Sequence, residues 1–293
     1  MNATTLAAAD GTPLAVRFFA PDDGTPRRGA VLIGGAMGVR QDYYRPFAEW
    51  LARQGFVVAS FDYRGMGESR PAGASLREVD VDLFDWAADT DTVIEALAER
   101  AGGLPIVLIG HSLGAQLPGL LRHRDRLAGL LSVAAGSGYW RDNAPQLRRY
   151  VLYFWHVLVP LGTALFGYFP GRRFGKVGDL PRGVVLQWRR WCMHPRYHVG
   201  AEGDAVRERF EAARFPVVAL SITDDELMTE RGTRVLVDCY ANAPRRIERI
   251  APHEVQARRI GHFGFFREQF QATLWQRCAQ LLHGFHTHKE TSA

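Results

Sequence analysis

Short hydrophobic runs alternate with amphipathic stretches along the first third of the chain. Residues 30–33, 56–61 and 105–109 are apolar at almost every position, which is typical of strands buried on both faces. Apolar residues recur at helical spacing over 44–51, and a second helical pattern runs over 78–100. Buried strands separated by helices predict a parallel sheet that is covered on both faces.

The same alternation returns in the last third of the chain. Residues 215–223 and 245–250 predict strands, 229–240 predicts the helix between them, and 265–282 predicts a terminal helix. Near the N-terminus, 14–19 follows an Asp-Gly turn and predicts one strand of a hairpin. The two parts together predict a single α/β domain.

The residues between these two parts show no strand pattern. They are crowded with Trp, Phe, Tyr and Arg, which predicts a helical cap (139–213) inserted into a core made of 1–138 and 214–293. Within the cap, 150–169 is almost uncharged and has the length of a membrane span. A proline and two glycines interrupt it, so we expect an apolar helical lobe, with a transmembrane span and an interfacial helix as the alternatives.

Composition narrows the class and the location. The 293 residues are 47% hydrophobic and 23% charged, as in ordinary globular domains, which excludes a disordered or fibrous role. The net charge of +5 contains no block of like charges, so nucleic-acid binding is not expected. Three widely spaced cysteines favour buried thiols in a reducing cytoplasm. The N-terminus also lacks the cationic and apolar regions of a signal peptide.

A Gly-His-Ser-Leu-Gly segment at 110–114 lies directly between the predicted strand 105–109 and a predicted helix over 113–122. So tight a turn holds its central residue in a strained conformation, and the flanking glycines remove Cβ atoms that would clash. Ser112 is thereby held at a helix N-terminus, where positive partial charge favours a developing oxyanion. We therefore predict that Ser112 is a nucleophile, the alternative being a structural glycine-rich turn.

The chain resembles the α/β-hydrolase superfamily along nearly all of its length. The resemblance rests on IGGAMG after the third strand, DYRGMGES after the fourth, GHSLG, the acidic loop after FPVVALSIT, and a late histidine. It extends, through LPRGVVLQWRRWC and GHFGFF, to a bacterial subgroup of predicted serine hydrolases with a helical cap. The resemblance implies a mostly parallel, eight-stranded sheet covered by helices. It also implies a triad in the order serine, acid, histidine.

A serine hydroxyl needs a base to remove its proton and an acid to fix the tautomer of that base. The resemblance places the acid directly after the strand 215–223, where Asp224 and Asp225 stand; the residues that follow favour Asp225. Asp224 is then a charge or cap at the next helix N-terminus. The resemblance places the base at His262, between the last strand and the terminal helix, with His253 as the rival.

The oxyanion of an acyl-transfer intermediate needs two backbone donors. One is expected to be the amide of Leu113, directly after the nucleophile. The resemblance places the other in the loop after the third strand, at the amide of Ala36, with Met37 one position away. Gly34 stands where the superfamily often has a histidine, which removes a bracing hydrogen bond and no catalytic group.

The cap is where substrate selection is expected. Residues 139–200 carry nine Arg and one Lys against two Asp, a net charge of +8. This charge fits a solvated arginine face, a pocket for an anionic group such as a carboxylate or the phosphates of a coenzyme A thioester, or attraction to an anionic membrane surface. For the anion pocket, we expect several of four arginines to face the cleft above the nucleophile: Arg148, Arg149, Arg189 and Arg190.

Five side chains are expected to contact the substrate: Met37, His111, Trp140, Trp155 and Trp188. The remaining aromatic residues of the cap are expected to form its core.

Cys192, His194 and His198 lie close together in the sequence but lack a fourth ligand, so no zinc site is expected.

The sequence therefore favours a serine hydrolase that cleaves a carboxylic ester or thioester through an acyl-enzyme, without metal or cofactor. Its partner is a small acyl substrate, and its oligomeric state stays open. An acyltransferase or peptidase with the same triad is the alternative, and a catalytically silent binding protein on the same fold is a further one.

Overall fold

The computed structural model describes residues 1–175 and 177–290, with side chains as far as Phe285. Its centre is one sheet of eight strands. The strands are β1 Asn2–Ala7, β2 Pro13–Phe19, β3 Gly29–Gly34, β4 Phe56–Phe61, β5 Ile106–His111, β6 Leu127–Val133, β7 Val217–Ile222 and β8 Arg245–Ile250.

The strand order across the sheet is β1-β2-β4-β3-β5-β6-β7-β8. The pairs β1–β2 and β2–β4 are antiparallel, and the other five neighbouring pairs are parallel. This confirms the expected mostly parallel, eight-stranded sheet. Every residue of β3 to β7 is buried, because helices cover both faces. The strand β6 had no separate prediction from the sequence.

Helices connect many of these strands and follow the last one. They are α1 Arg45–Arg53, α2 Leu83–Ala101, α3 Pro145–Tyr153, α4 Val159–Phe166, α5 Arg182–Met193, α6 Tyr197–Ala201, α7 Asp204–Glu211, α8 Glu230–Asp238, α9 Gly261–Gly264 and α10 Gln276–Glu290. On one face of the sheet, Phe47 of α1 packs against Trp275, with ring centroids 5.1 Å apart. On the other face, Trp86 of α2 is fully buried and stacks on Tyr63.

The helix predicted over 113–122 is wrong in type. Two short 3-10 turns occupy this stretch, Ser112–Ala115 and Pro118–Leu120. Pro118 has no amide hydrogen and its ring clashes with the carbonyl four residues earlier, so an α-helix cannot continue through it. Gly119 then lies so close to Phe210 that an added Cβ would be 2.4 Å from the ring.

The helix predicted over 265–282 is also divided. A 3-10 turn (Glu268–Phe270) and a π turn (Gln271–Trp275) precede α10. The indole of Trp275 donates a hydrogen bond to the carbonyl of Phe265 at 2.8 Å. A carbonyl with a side-chain partner no longer needs the regular helical hydrogen bond, which is consistent with the late start of α10.

The segment between β6 and β7 in the chain contains α3 to α7 and covers the carboxyl edge of the sheet. Gly178 lies directly against Gly38 in the loop that follows β3. The hydroxyl of Tyr197 donates to Gln116, in the turns that follow β5, at 2.8 Å. This segment therefore covers the edge of the sheet at which the parallel strands of α/β folds present their functional loops.

Most of the apolar stretch 150–169 lies in a continuous helical rod, Pro145 to Phe166, with a π turn in its middle. The π turn Phe154–Leu158 joins α3 to α4, and α4 ends at Gly167 in the left-handed conformation, with φ of 75°. Among the described residues, no helix combines the length and hydropathy needed to cross a membrane.

Candidate active site

Ser112 stands at the carboxyl end of β5, at the first position of a 3-10 turn. Its φ is 51°, a left-handed conformation that a non-glycine residue rarely adopts. A Cβ on Gly110 would lie 2.4 Å from the amide nitrogen of Ala115, so only glycine fits before the serine. The local strain expected from the sequence is present, although a 3-10 turn replaces the expected helix.

His262 and Asp225 form a buried pair on the loops that follow β8 and β7. His262 Nδ1 lies 2.9 and 3.1 Å from the two carboxylate oxygens of Asp225, and both side chains are almost fully buried. The same carboxylate accepts hydrogen bonds from the amides of Leu227 (2.7 Å) and Met228 (2.8 Å). A neutral His262 therefore carries its proton on Nδ1, which leaves Nε2 as an acceptor.

The two acids that flank Asp225 hold the backbone of the histidine segment. Asp224 accepts hydrogen bonds from the amides of Ile260 and Gly261, both at 3.0 Å. Glu226 accepts one from the amide of His262 at 3.1 Å. Asp224 is thus in contact with the backbone of this segment and not with the imidazole; it lies at the N-terminus of α9 and not of α8, the helix that follows it in the chain.

The rival histidine lies elsewhere. His253 is exposed in a 3-10 turn after β8, whereas His262 is buried against Asp225.

The backbone of His262 lies beside the nucleophile's turn. His111 Nε2 lies 3.0 Å from the carbonyl oxygen of His262, and the two imidazole rings are 5.2 Å apart. Within the described residues, no hydrogen bond joins Ser112 Oγ to His262. Such catalytic contacts are often long in unliganded enzymes and tighten when substrate binds.

The amide of Ala36 is not free for an oxyanion. It donates to the hydroxyl of Tyr44 at 2.8 Å, and one N–H has one hydrogen to give. The expectation that Ala36 is the second oxyanion donor therefore needs correction. Met37 lies in the turn after β3, and its amide has no hydrogen-bond acceptor among the described residues. The amide of Leu113 lies in the first turn after the strand, where the turn itself supplies no acceptor.

The five predicted substrate contacts are not equivalent. His111 and Trp155 are completely or almost completely buried. Both ring nitrogens of His111 are hydrogen-bonded within the protein, and Trp155 packs edge-on against Trp188 with centroids 4.9 Å apart. These two side chains are committed to internal packing, which corrects their prediction as substrate contacts. Trp140 and Trp188 keep partly exposed surface, and Met37 is buried in the oxyanion loop.

Three of the four arginines expected above the nucleophile have partners within the fold. Arg189 donates to the carbonyl of Trp155 at 2.7 Å, and Arg190 pairs with Glu202. Arg148 donates to the carbonyl of Asn143 at 3.3 Å. Arg149 is exposed, and Lys176 lies outside the described residues.

A cavity of about 540 Å³ nevertheless gathers three arginines beside the acid loop. Its lining residues are Tyr139, Trp140, Arg141, Arg148, Pro195 and Arg231. Arg231 pairs with the buried Asp142, with 2.8 Å between Nε and a carboxylate oxygen. One carboxylate against three guanidinium groups leaves this cavity positively charged.

Among the described residues, no three or more His, Cys, Asp and Glu side chains are grouped as metal ligands. His198 stacks on Phe210 with centroids 4.2 Å apart, and burial lowers its pKa to about 3, so it is a neutral core residue.

The chain is similar to known hydrolases in sequence and in fold. The profile of the family described as serine aminopeptidase, S33, matches residues 25–167. A monoacylglycerol lipase of Mycolicibacterium smegmatis is 27% identical over 110 residues, which are 38% of this chain and 37% of the lipase. The chain thus spans little more than a third of the curated relative that it matches.

Solved structures of low sequence identity share the whole fold. A soluble variant of the monoglyceride lipase of Saccharomyces cerevisiae, in complex with a substrate analog, is 18% identical with a TM-score of 0.69. The match covers 97% of this chain and 95% of that chain. A thermostable carboxyl esterase of Bacillus coagulans is 14% identical with a TM-score of 0.67, over 97% and 98% of the two chains. The sheet and the comparisons together show that this chain has the α/β-hydrolase fold.

Proposed function

We propose that this protein is a serine hydrolase that cleaves carboxylic esters through an acyl-enzyme intermediate. The observation that carries the proposal is the buried His262–Asp225 pair beside a strained Ser112. The carbonyl of His262 is hydrogen-bonded to His111, the residue that precedes Ser112. Nucleophile, base and orienting acid in this chain order are the parts that acyl transfer at serine requires.

In the proposed mechanism, Ser112 Oγ attacks the substrate carbonyl while His262 Nε2 takes its proton. Asp225 holds the tautomer of His262 and stabilises the imidazolium that forms. The amides of Leu113 and Met37 donate to the oxyanion. His262 then protonates the leaving alcohol, and a water molecule, activated by the same histidine, hydrolyses the acyl-enzyme.

We propose a long-chain acyl ester such as a monoacylglycerol as the substrate class. The likeness to two lipases named for monoacylglycerol or monoglyceride supports it. So does the apolar segment 139–213, which we propose as the cap that shelters the acyl chain, with Trp140 and Trp188 as its lining.

The outer face of the cap supports contact with a lipid aggregate or membrane surface. Tyr153, Leu161 and Leu165 are 50%, 56% and 70% exposed along the rod formed by α3 and α4. No acidic residue occurs from Pro145 to Phe166, while Arg148 and Arg149 are present. An exposed apolar stripe flanked by arginine is typical of helices that lie on lipid surfaces.

We propose a cytoplasmic location. Its support is that Cys192, Cys239 and Cys278 are all free thiols, as in proteins of reducing compartments.

A peptidase is the second candidate, because the matching family profile is described as a serine aminopeptidase. Aminoacyl p-nitroanilides and p-nitrophenyl esters, tested side by side, separate it from an esterase. Adding an alcohol acceptor and measuring transesterification separates an acyltransferase from both. A silent binding protein would turn over none of these substrates.

Ser112→Ala is expected to lower kcat for p-nitrophenyl esters by several orders of magnitude, because no acyl-enzyme can form. Ser132→Ala is the matched control, since its buried hydroxyl on the neighbouring strand has no hydrogen-bond partner in the described residues. Turnover by the purified variants, with thermal unfolding as a check on folding, gives the result. An active Ser112→Ala variant would exclude the proposed nucleophile.

Asp225→Asn is expected to lower kcat by about 10³- to 10⁴-fold, because the charge that fixes the His262 tautomer is lost while the size is kept. Asp224→Asn is the matched control, and roughly tenfold or less is expected, because Asp224 contacts only the backbone of the segment. Steady-state kinetics on both variants tests the assignment. A larger loss from Asp224→Asn would reverse it.

The double variant Leu161→Gln with Leu165→Gln is expected to lose roughly tenfold in activity on aggregated monoacylglycerol, because apolar contact with the aggregate is removed. Its activity on a short, monomeric ester should stay the same, since both side chains are exposed to solvent. Ala164→Gln, which is also exposed on α4, is the matched control. Equal loss on both substrates would mean that the stripe serves folding instead of lipid contact.

The expectation of an anionic substrate now depends on the cavity lined by Arg141, Arg148 and Arg231. If an anionic head group binds there, Arg148→Gln should lower kcat/KM for hemisuccinate esters about three- to tenfold and leave neutral esters unchanged. The exposed Arg149→Gln is the control. Raising salt should weaken only the anionic reaction. The same salt response for both ester classes would show that the arginines form a solvated face.

A further inference from the structure

A chain of hydrogen bonds connects the oxyanion loop to the backbone of the proposed base. The amide nitrogen of Ala36 lies 2.8 Å from the hydroxyl oxygen of Tyr44. That oxygen lies 2.8 Å from Nδ1 of His111, and Nε2 of His111 lies 3.0 Å from the carbonyl oxygen of His262. Three parts of the fold that are distant in sequence are joined in this way.

The direction of every hydrogen bond in this chain is determined by chemistry. An amide can only donate, so the Tyr44 oxygen accepts from Ala36 and its own hydrogen is left for Nδ1 of His111. A carbonyl can only accept, so Nε2 of His111 must carry the proton that it gives to His262. One tautomer of His111 therefore satisfies all three contacts.

The surroundings of His111 keep it in this neutral form. The ring is completely buried, and burial together with the neighbouring His262 lowers its pKa well below 6.5. Phe263 and Phe266 flank the ring, with centroids 5.6 and 4.9 Å away. A second proton on Nδ1 would face the Tyr44 hydroxyl hydrogen, which already occupies that direction.

We infer that Tyr44 and His111 are positioning residues that hold the oxyanion loop and the base in one fixed arrangement around Ser112. Neither side chain has exposed surface with which to contact substrate, since they are 1% and 0% exposed. Tyr44 fixes the loop that carries the Met37 amide, and His111 fixes the carbonyl of His262. This inference rests on the proposed hydrolase function and adds two residues to it.

The hydrogen bond from His111 complements those of the two acids that hold the segment around His262. Asp224 and Glu226 bind its amides, whereas His111 binds the carbonyl of His262. The histidine is therefore held from both sides of its backbone, and loss of the His111 contact should displace the imidazole without unfolding the loop.

Tyr44→Phe tests the inference, because it keeps the ring and its edge contact with Phe266 but removes the hydroxyl. The expected result is a kcat lowered about 10- to 100-fold with KM within about threefold, since geometry in the transition state is lost and ground-state binding is not. Tyr63→Phe is the matched control; this buried tyrosine stacks on Trp86, takes no part in the chain of hydrogen bonds described above, and should keep wild-type kinetics.

A pair of substitutions at the histidine gives a readout that a general loss of stability would not produce. In His111→Gln the amide nitrogen reaches the former place of Nε2 and can donate to His262; in His111→Asn it is too short to do so. The glutamine variant is expected to keep kcat within about fivefold of wild type, and the asparagine variant to lose about 100-fold. This pair also decides the matter if Tyr44→Phe does not fold.

Reaction with a fluorophosphonate probe separates failure of the inference from failure of the proposed function. If the wild-type protein reacts at Ser112 and turns over esters while Tyr44→Phe stays within twofold, the inference is overturned and the hydrolase remains. Equal kcat for the glutamine and asparagine variants overturns it as well. A wild-type protein that neither reacts with the probe nor hydrolyses esters overturns both.

Discussion

The contact between Gly34 and Gly114 is the constraint on which the rest of the candidate site depends. A Cβ on Gly114 would lie 2.1 Å from the carbonyl oxygen of Gly34, so the loop after β3 and the turn after β5 meet backbone to backbone. Because no side chain separates them, the amides of Met37 and Leu113 can converge on the space above Ser112. Gly110 is crowded in a similar way, since an added Cβ would lie 2.4 Å from the amide nitrogen of Ala115, and Ser112 stands between these two residues in its left-handed conformation. Backbone contacts at the edge of the sheet thus place the loop after β3 beside the turn that carries Ser112.

The acids of the loop after β7 show how one short segment can position a base completely. Asp225 takes the imidazole, while Asp224 and Glu226 take the backbone amides at and before His262. A buried carboxylate is costly in free energy unless its hydrogen-bonding capacity is satisfied. Here the amides of Leu227 and Met228 satisfy the Asp225 carboxylate. The cost of burying the pair is therefore offset locally, and the base is held ready before substrate arrives.

Sequence patterns predicted the parts of this structure that follow from local rules. The runs 56–61 and 245–250 have the bounds predicted for them, because continuous apolar or amphipathic strands carry their own signal. Ser112, Asp225 and His262 could be chosen because each directly follows a predicted strand or precedes a predicted helix. The turn type after Ser112 does not follow from the sequence pattern, because the apolar spacing over 113–122 fits a helix and Pro118 breaks it. The sequence shows Tyr44 only as an apolar position of a helix, since its contact with His111 joins residues 67 apart in sequence. The buried state of Trp155 and the internal bonds of Arg189 and Arg190 also depend on tertiary packing that composition does not show.

Ser112 is expected to become acylated by an ester substrate during turnover. The most direct measurement is acid quenching of the protein during steady-state turnover of a p-nitrophenyl ester, followed by peptide mass spectrometry. The peptide that contains Ser112 should carry the mass of one acyl group, and this mass should disappear when the substrate is exhausted. Turnover without any acylated peptide, or an acyl group on another residue that appears and decays at the rate of turnover, would contradict it.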